Sequence, residues 1–192
     1  MFKDSSKFGD TIEAMVIRNA GQEDQVTLLG VYTAECYDKD GNLKWSDTIE
    51  NLTTNVGRQL LLNSFFANVG GGTFVMGLMG TGTPSYTDTQ ASHAGWLEVG
   101  GVNAPTYSGT RKTPTYATAT NANPSVLTTS APVVFNMTGS GTVAGAFINI
   151  GGSATIDSTT GTLFSAGDFT GGSKTVTSGD TINVTYTLSS AG

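Results

Sequence analysis

A chain of 192 residues falls within the range of one compact domain, and a body of that size buries about 70% of its unfolded surface without covalent staples. The formal net charge of -6, with only nine Lys and Arg, excludes the clustered cationic surface that phosphate contacts require, and the lone Cys36 excludes an internal disulfide framework or a thiolate metal cluster. Only 12% of residues are charged while 26 are Gly, a composition that favours strands and turns over helices because Gly supplies the φ > 0 positions that turns need.

Residues 1–25 are polar and weakly patterned, and they read as an extended arm in which Phe2 and Phe8 stand as isolated aromatic residues awaiting a partner. The opening MFKDSSKFGD lacks the apolar core of a secretory signal, and no run approaches the ~20 apolar residues of a membrane span. Synthesis in a cytoplasm is therefore the expectation, with a single domain over residues 26–192.

The domain opens on a hairpin, VTLLGVYTAECYDKDGNLKWSDTIE, in which Asp40-Gly41 is a strong signal for a two-residue type I′ turn. Counting outwards pairs Cys36 with Trp45 and Tyr32 with Ile49. Tyr32, Ala34, Cys36, Leu43, Trp45 and Ile49 then share a core face, with Asp47 as its exception, while Thr33, Glu35, Tyr37, Lys44, Ser46 and Thr48 form a wet face.

TTNVGRQLLLNSFF reads as the one helix, with Thr54 as its N-cap and Leu60, Leu61, Leu62, Phe65 and Phe66 spread too widely for a narrow stripe. FVMGLMG suits a fully buried strand, and GTGTPSYTDTQASHAG behind it a loop. Further strands are expected around residues 96–99, 115–119, 133–137, 143–150, 162–165 and 174–177. The last strand alternates most cleanly, with Ile182, Val184, Tyr186 and Leu188 opposite Thr181, Asn183, Thr185 and Thr187. The fold class expected is all-β, a β-sandwich or jelly roll with one short helix and an extended N-terminal arm.

GVYTAECYDKDGNLKWSDTIENLTTNVGRQLLLNSFF, then FVMGLMGTG, then ASHAGWLEV, resembles a group of small structural proteins of tailed bacteriophages. VAGAFINIGG, GTLFSAGDF and VTSGDTINVTYTLS continue the resemblance, which spans roughly Gly30 to Leu188 and leaves the arm unmatched. It implies a virion component, a head decoration or cement protein of jelly-roll form. Such a protein would assemble as a dimer or trimer on the major capsid protein, with neither nucleic acid nor membrane as partner. The group has no catalytic residue to carry over.

The remaining constellations have plainer readings. His93 is the one histidine around which a Ser-His-Asp or Cys-His arrangement could form, but it sits in a Gly-rich stretch and Cys36 is assigned to the core. DKDGN lacks the Gly-to-Glu spacing of a calcium loop, and GLMGTGT lacks the Lys-Ser or Lys-Thr of a phosphate cradle. Asp38 with Asp40, and Asp10 with Glu13, are turn and arm carboxylates before they are a glycosidase pair. No catalytic, cofactor or metal residue is assigned; Phe2 and Phe8 are the candidate capsid-contact residues. The alternative function is a receptor-binding or tail-appendage module whose Tyr86, Trp96, Tyr107 and Tyr116 stack on host glycans; a virion-borne hydrolase ranks third.

Overall fold

A computed structural model describes residues 27–67 and 71–191; the arm, with Phe2, Phe8, Asp10 and Glu13, lies outside the described residues. Twelve strands and one helix follow along the described chain: β1 (Thr27–Tyr37), β2 (Leu43–Glu50), β3 (Leu52–Thr53), α1 (Asn55–Phe66), β4 (Phe74–Gly82), β5 (Trp96–Val99), β6 (Ser125–Thr128), β7 (Val133–Asn136), β8 (Gly141–Val143), β9 (Gly145–Ile150), β10 (Thr162–Asp168), β11 (Lys174–Val176) and β12 (Thr181–Ala191). The protein is all-β, as its composition and alternation indicate.

Two five-stranded antiparallel sheets carry the fold. Sheet A runs β2-β1-β12-β6, with β7 also pairing β12, and sheet B runs β3-β10-β9-β4-β5; β11 and β8 form a small ribbon. β1 lies along the whole of β12, from Thr27 opposite Ala191 to Tyr37 opposite Thr181. Each strand of that pair alternates, so a period of two sends one set of side chains inward. Tyr32, Ala34, Cys36, Ile182, Val184 and Tyr186 meet Met76, Leu78, Ala146, Ile148 and Phe164 of sheet B in one apolar core. The Tyr32 hydroxyl crosses between the layers to the Ser165 hydroxyl at 2.6 Å, so this buried polar group is satisfied.

Sheet B is buried on both faces, which explains why β4 and β9 read as unbroken apolar runs rather than alternating ones. Its outer face carries Met79, Phe147, Leu163 and Ala166 beneath Trp96, forming a second small core. Gly77 belongs to this packing: a Cβ there would stand 2.4 Å from the Phe147 ring.

The hairpin keeps its expected pairing at Cys36 with Trp45 and Tyr32 with Ile49, but a bulge after Cys36 pairs Tyr37 with Leu43. Asp38 causes it. Its carboxylate accepts from the backbone N–H groups of Asp40 and Asn42 at 2.9 and 2.8 Å, building a wider turn that ends on Gly41 at φ 85°. The expectation of a two-residue turn and of a core position for Leu43 is thus corrected: Leu43 is 55% exposed. Trp45 is only partly buried, against Phe169.

Thr54 caps α1 as expected, its hydroxyl accepting from Gly57 N at 3.0 Å and donating to the Leu163 carbonyl. Gly57 lets the helix approach β10 so closely that a Cβ there would lie 2.3 Å from the Phe164 carbonyl oxygen. Residues 115–119 form no strand; Tyr116 makes an isolated bridge to Thr129, and β6, absent from the sequence reading, takes the edge of sheet A. The segment around residues 143–150 divides into β8 and β9.

Candidate interaction surface

The outer face of sheet A is the broad open face of the sandwich, because the corresponding face of sheet B lies beneath its second core. Register fixes its rows. Glu50, Val31, Thr187 and Thr128 form one; Thr48, Thr33 and Thr185 the next; Ser46, Glu35, Asn183 and Val134 a third; and Leu43, Tyr37, Thr181 and Asn136 a fourth. Cross-strand neighbours tie these rows together: the Thr128 and Thr187 hydroxyls stand 3.0 Å apart, and Thr181 donates to Asn136 Oδ1 at 3.2 Å. The Tyr37 hydroxyl donates to Glu35 at 2.7 Å, so the carboxylate is held down on the face.

This surface is mostly hydroxyl and amide, with apolar studs at Leu29 (60% exposed), Val31 (39%) and Val134 (44%). The wet half of the hairpin was legible from alternation except at Lys44, which the bulge turns away to Asp180. Leu29 and Val134 were not assigned to the surface from the sequence, and only their place in the register turns them outward.

The underside of the hairpin end holds the groups that nucleophilic chemistry would need, locked in structural bonds. Cys36 is fully buried, and burial together with the nearby Asp180 carboxylate pushes its thiol up to about 11, so it stays protonated at neutral pH. Asp180 receives Lys44 and the Thr177 N–H (2.7 Å). Asp47, the apparent exception on the core side, accepts from Thr170 at 2.8 Å and pairs with Lys174 at 2.6 Å. Burial opposes its ionisation, but those hydrogen bonds outweigh it and hold the carboxyl at about 2.

His93 stacks on Trp96 with ring centroids 3.9 Å apart, and its Nδ1 lies 3.1 Å from the Trp96 carbonyl. Asp88 accepts from Trp96 Nε1 at 3.0 Å and from Ser85 N at 2.9 Å, which fixes the loop over sheet B. Asp38 and Asp40 stay in the hairpin turn. Among the described residues, no three His, Cys, Asp or Glu side chains gather as a metal site. Of the four aromatic residues considered for glycan stacking, Trp96 (2%) and Tyr107 (3%) are buried in the two cores and Tyr116 is half-buried. Tyr86 alone is exposed, beneath the Arg58 guanidinium at 5.5 Å.

One feature escaped the sequence altogether. Arg111, fully buried, donates from Nε to Glu98 Oε1 at 2.8 Å and from Nη2 to Oε2 at 2.6 Å, and its remaining donors reach the Ser153 and Ser158 carbonyls at 3.0 and 2.8 Å. Asp157 N donates to the same Glu98 oxygen at 2.9 Å. This forked pair pins the segments after β5 and β9 onto sheet B, and every bond it makes is internal to the fold.

No family model, curated protein or solved structure matches the chain.

Proposed function

We propose that this protein is a structural component of a tailed-phage particle, a decoration protein that lies on the outside of the head and bridges neighbouring capsid subunits. The observation that carries the proposal is the outer face of sheet A, a hydroxyl-rich surface with few charges and a few apolar studs. A rigid face of this kind docks with little loss of side-chain entropy, because short Thr and Ser side chains have few rotamers to surrender. Thr and Asn supply hydrogen bonds that tolerate interfacial water, and Leu29, Val31 and Val134 supply apolar anchors. The resemblance of the sequence blocks, in their order, to those of phage structural proteins favours the same reading.

A stable contact needs about 1,000 Å² of buried surface, and many copies on a symmetric shell turn a modest contact into a lasting one. In this reading the arm, through Phe2 and Phe8, reaches a neighbouring subunit, and the protein acts as a dimer or trimer on the major capsid protein.

The test is attachment to purified heads, followed by cosedimentation. Val31→Glu combined with Thr185→Lys places opposed, long, charged side chains on the docking rows without touching the core. Retained folding with lost attachment is expected; attachment at the wild-type level, or absence of the protein from assembled particles, overturns the proposal. A copy number far below that of the shell subunit would instead assign it to a tail appendage.

A further inference from the structure

The sandwich is open at one end. There, between the sheets and beneath α1, lies an apolar groove of about 350 Å³ walled by Leu60 and Leu61 of the helix, Leu127 and Leu188 of sheet A, and Phe74 and Phe164 of sheet B. Its wall is continuous with the main core, since Leu60, Phe74 and Leu188 pack directly against it. Among the described residues nothing covers it, and an apolar groove of this depth exposes surface that a folded chain normally removes from water.

We infer that the groove is covered by this chain's own residues Ala14–Ile17, the apolar run Ala-Met-Val-Ile of the segment preceding β1. The position of the arm's root favours this occupant. Thr27 is opposite Ala191 and Gly30 is opposite Leu188, so β1 begins three residues before the position beside a groove wall. At 4.8 Å between strands and 3.3 Å per residue, that is roughly 11 Å from the root to the wall. Val16 lies eleven residues before Thr27, a tether that reaches up to about 36 Å when extended, ample for the chain to fold back over the mouth.

The chemistry of the run also matches. Four uncharged residues are bounded by Glu13 and Arg18, so the run can enter an apolar groove while both charges stay at its rim. Val and Ile lose little rotamer freedom on burial, and Met adapts to an irregular wall. Residues 1–13, with Phe2 and Phe8, would then precede the seated run, which sets the length of any anchor that a docking partner meets. The inference stands on the groove and the tether, whatever the partner of sheet A is.

The full-length chain tests it. In a Val16→Cys, Leu127→Cys double variant, mild oxidation should link the two cysteines within one chain, so that non-reducing electrophoresis shows a monomer of altered mobility. Cys36, buried and protonated, does not compete. Independently, a full-length Val16→Asp, Ile17→Asp variant should unseat the run and bind anilinonaphthalene sulfonate about 5-fold more brightly than the wild type, as an exposed apolar groove does. No disulfide, or dye binding equal to that of the wild type, overturns the inference. So does a disulfide between chains, which would assign the groove to the arm of a second copy, or an apolar small molecule that copurifies and blocks the link.

Discussion

Replacing Arg111 by Met keeps most of the side-chain volume and removes its charge, leaving the Glu98 carboxylate buried at 3% exposure with only the Asp157 N–H as partner. The two short bonds of 2.8 and 2.6 Å to Glu98 vanish together with the bonds to Ser153 and Ser158. Breaking a buried pair in this way costs about 3–5 kcal/mol, because the partner's charge stays desolvated. For a protein of this size each kcal/mol is worth about 2–4 °C, so Arg111→Met should melt about 6–20 °C below the wild type. Amide exchange should rise first in residues 153–158, which lose their anchor.

Two controls isolate the cause. Lys39 and Asp40 are also 2.8 Å apart, but their side chains are 74% and 63% exposed, and Lys39→Ala should shift melting by about 2 °C or less. A Glu98→Gln, Arg111→Met double variant removes the lone charge and keeps an acceptor for Asp157, so it should recover at least half of the loss. Circular dichroism at about 218 nm, where β structure gives its signal, reads all of these melts. A single variant within about 3 °C of the wild type, or a double variant no better than the single, refutes the buried-charge argument.

Two further outcomes follow from the pKa shifts. Asp47 is held at about 2, so its ionised form favours the folded state, and that contribution is present above the ordinary carboxylate range and lost as pH falls toward 2. Asp47→Asn should therefore melt below the wild type at neutral pH, and the gap should close between about pH 4 and 2; a gap independent of pH would show that Asp47 contributes no charge-dependent stability. Cys36 is raised to about 11, so the folded chain keeps a proton that the unfolded thiol loses near ~8.5, and this contribution is full below that pH and fades as pH rises through 11. At pH 8, Ellman's reagent should label native Cys36 about 100-fold more slowly than the unfolded chain, and equal rates would place the thiol outside the core.

The hairpin shows what sequence reasoning can reach. Alternation over residues 31–36 and 45–49 fixed the pairing and the wet face, because a two-residue period leaves no freedom once one face is buried. Leu43 escaped it, since a side-chain bond from Asp38, not periodicity, decides the turn. Thr115–Ala119 has strand-like composition, yet the edge of sheet A went to Ser125–Thr128, where Leu127 faces the groove. Trp96 and Tyr107 looked available for ligands because a loop-like context hides the fact that both lie over apolar strands. Glu98 and Arg111 are thirteen residues apart on segments with no shared period, so only the folded chain brings them together. The same holds for the rows of the open face, which require β12 beside β1.

That last pairing bears on how the protein is made. β12 is flanked by β1 on one side and by β6 and β7 on the other, so the final described strand is the spine of its layer. A ribosome must therefore release residues up to about Ala191 before β1, already paired with β2, finds its second neighbour. Products stalled before residue 181 would leave the β12-facing edges of β1 and β6 bare, and such open edges invite proteolysis and aggregation.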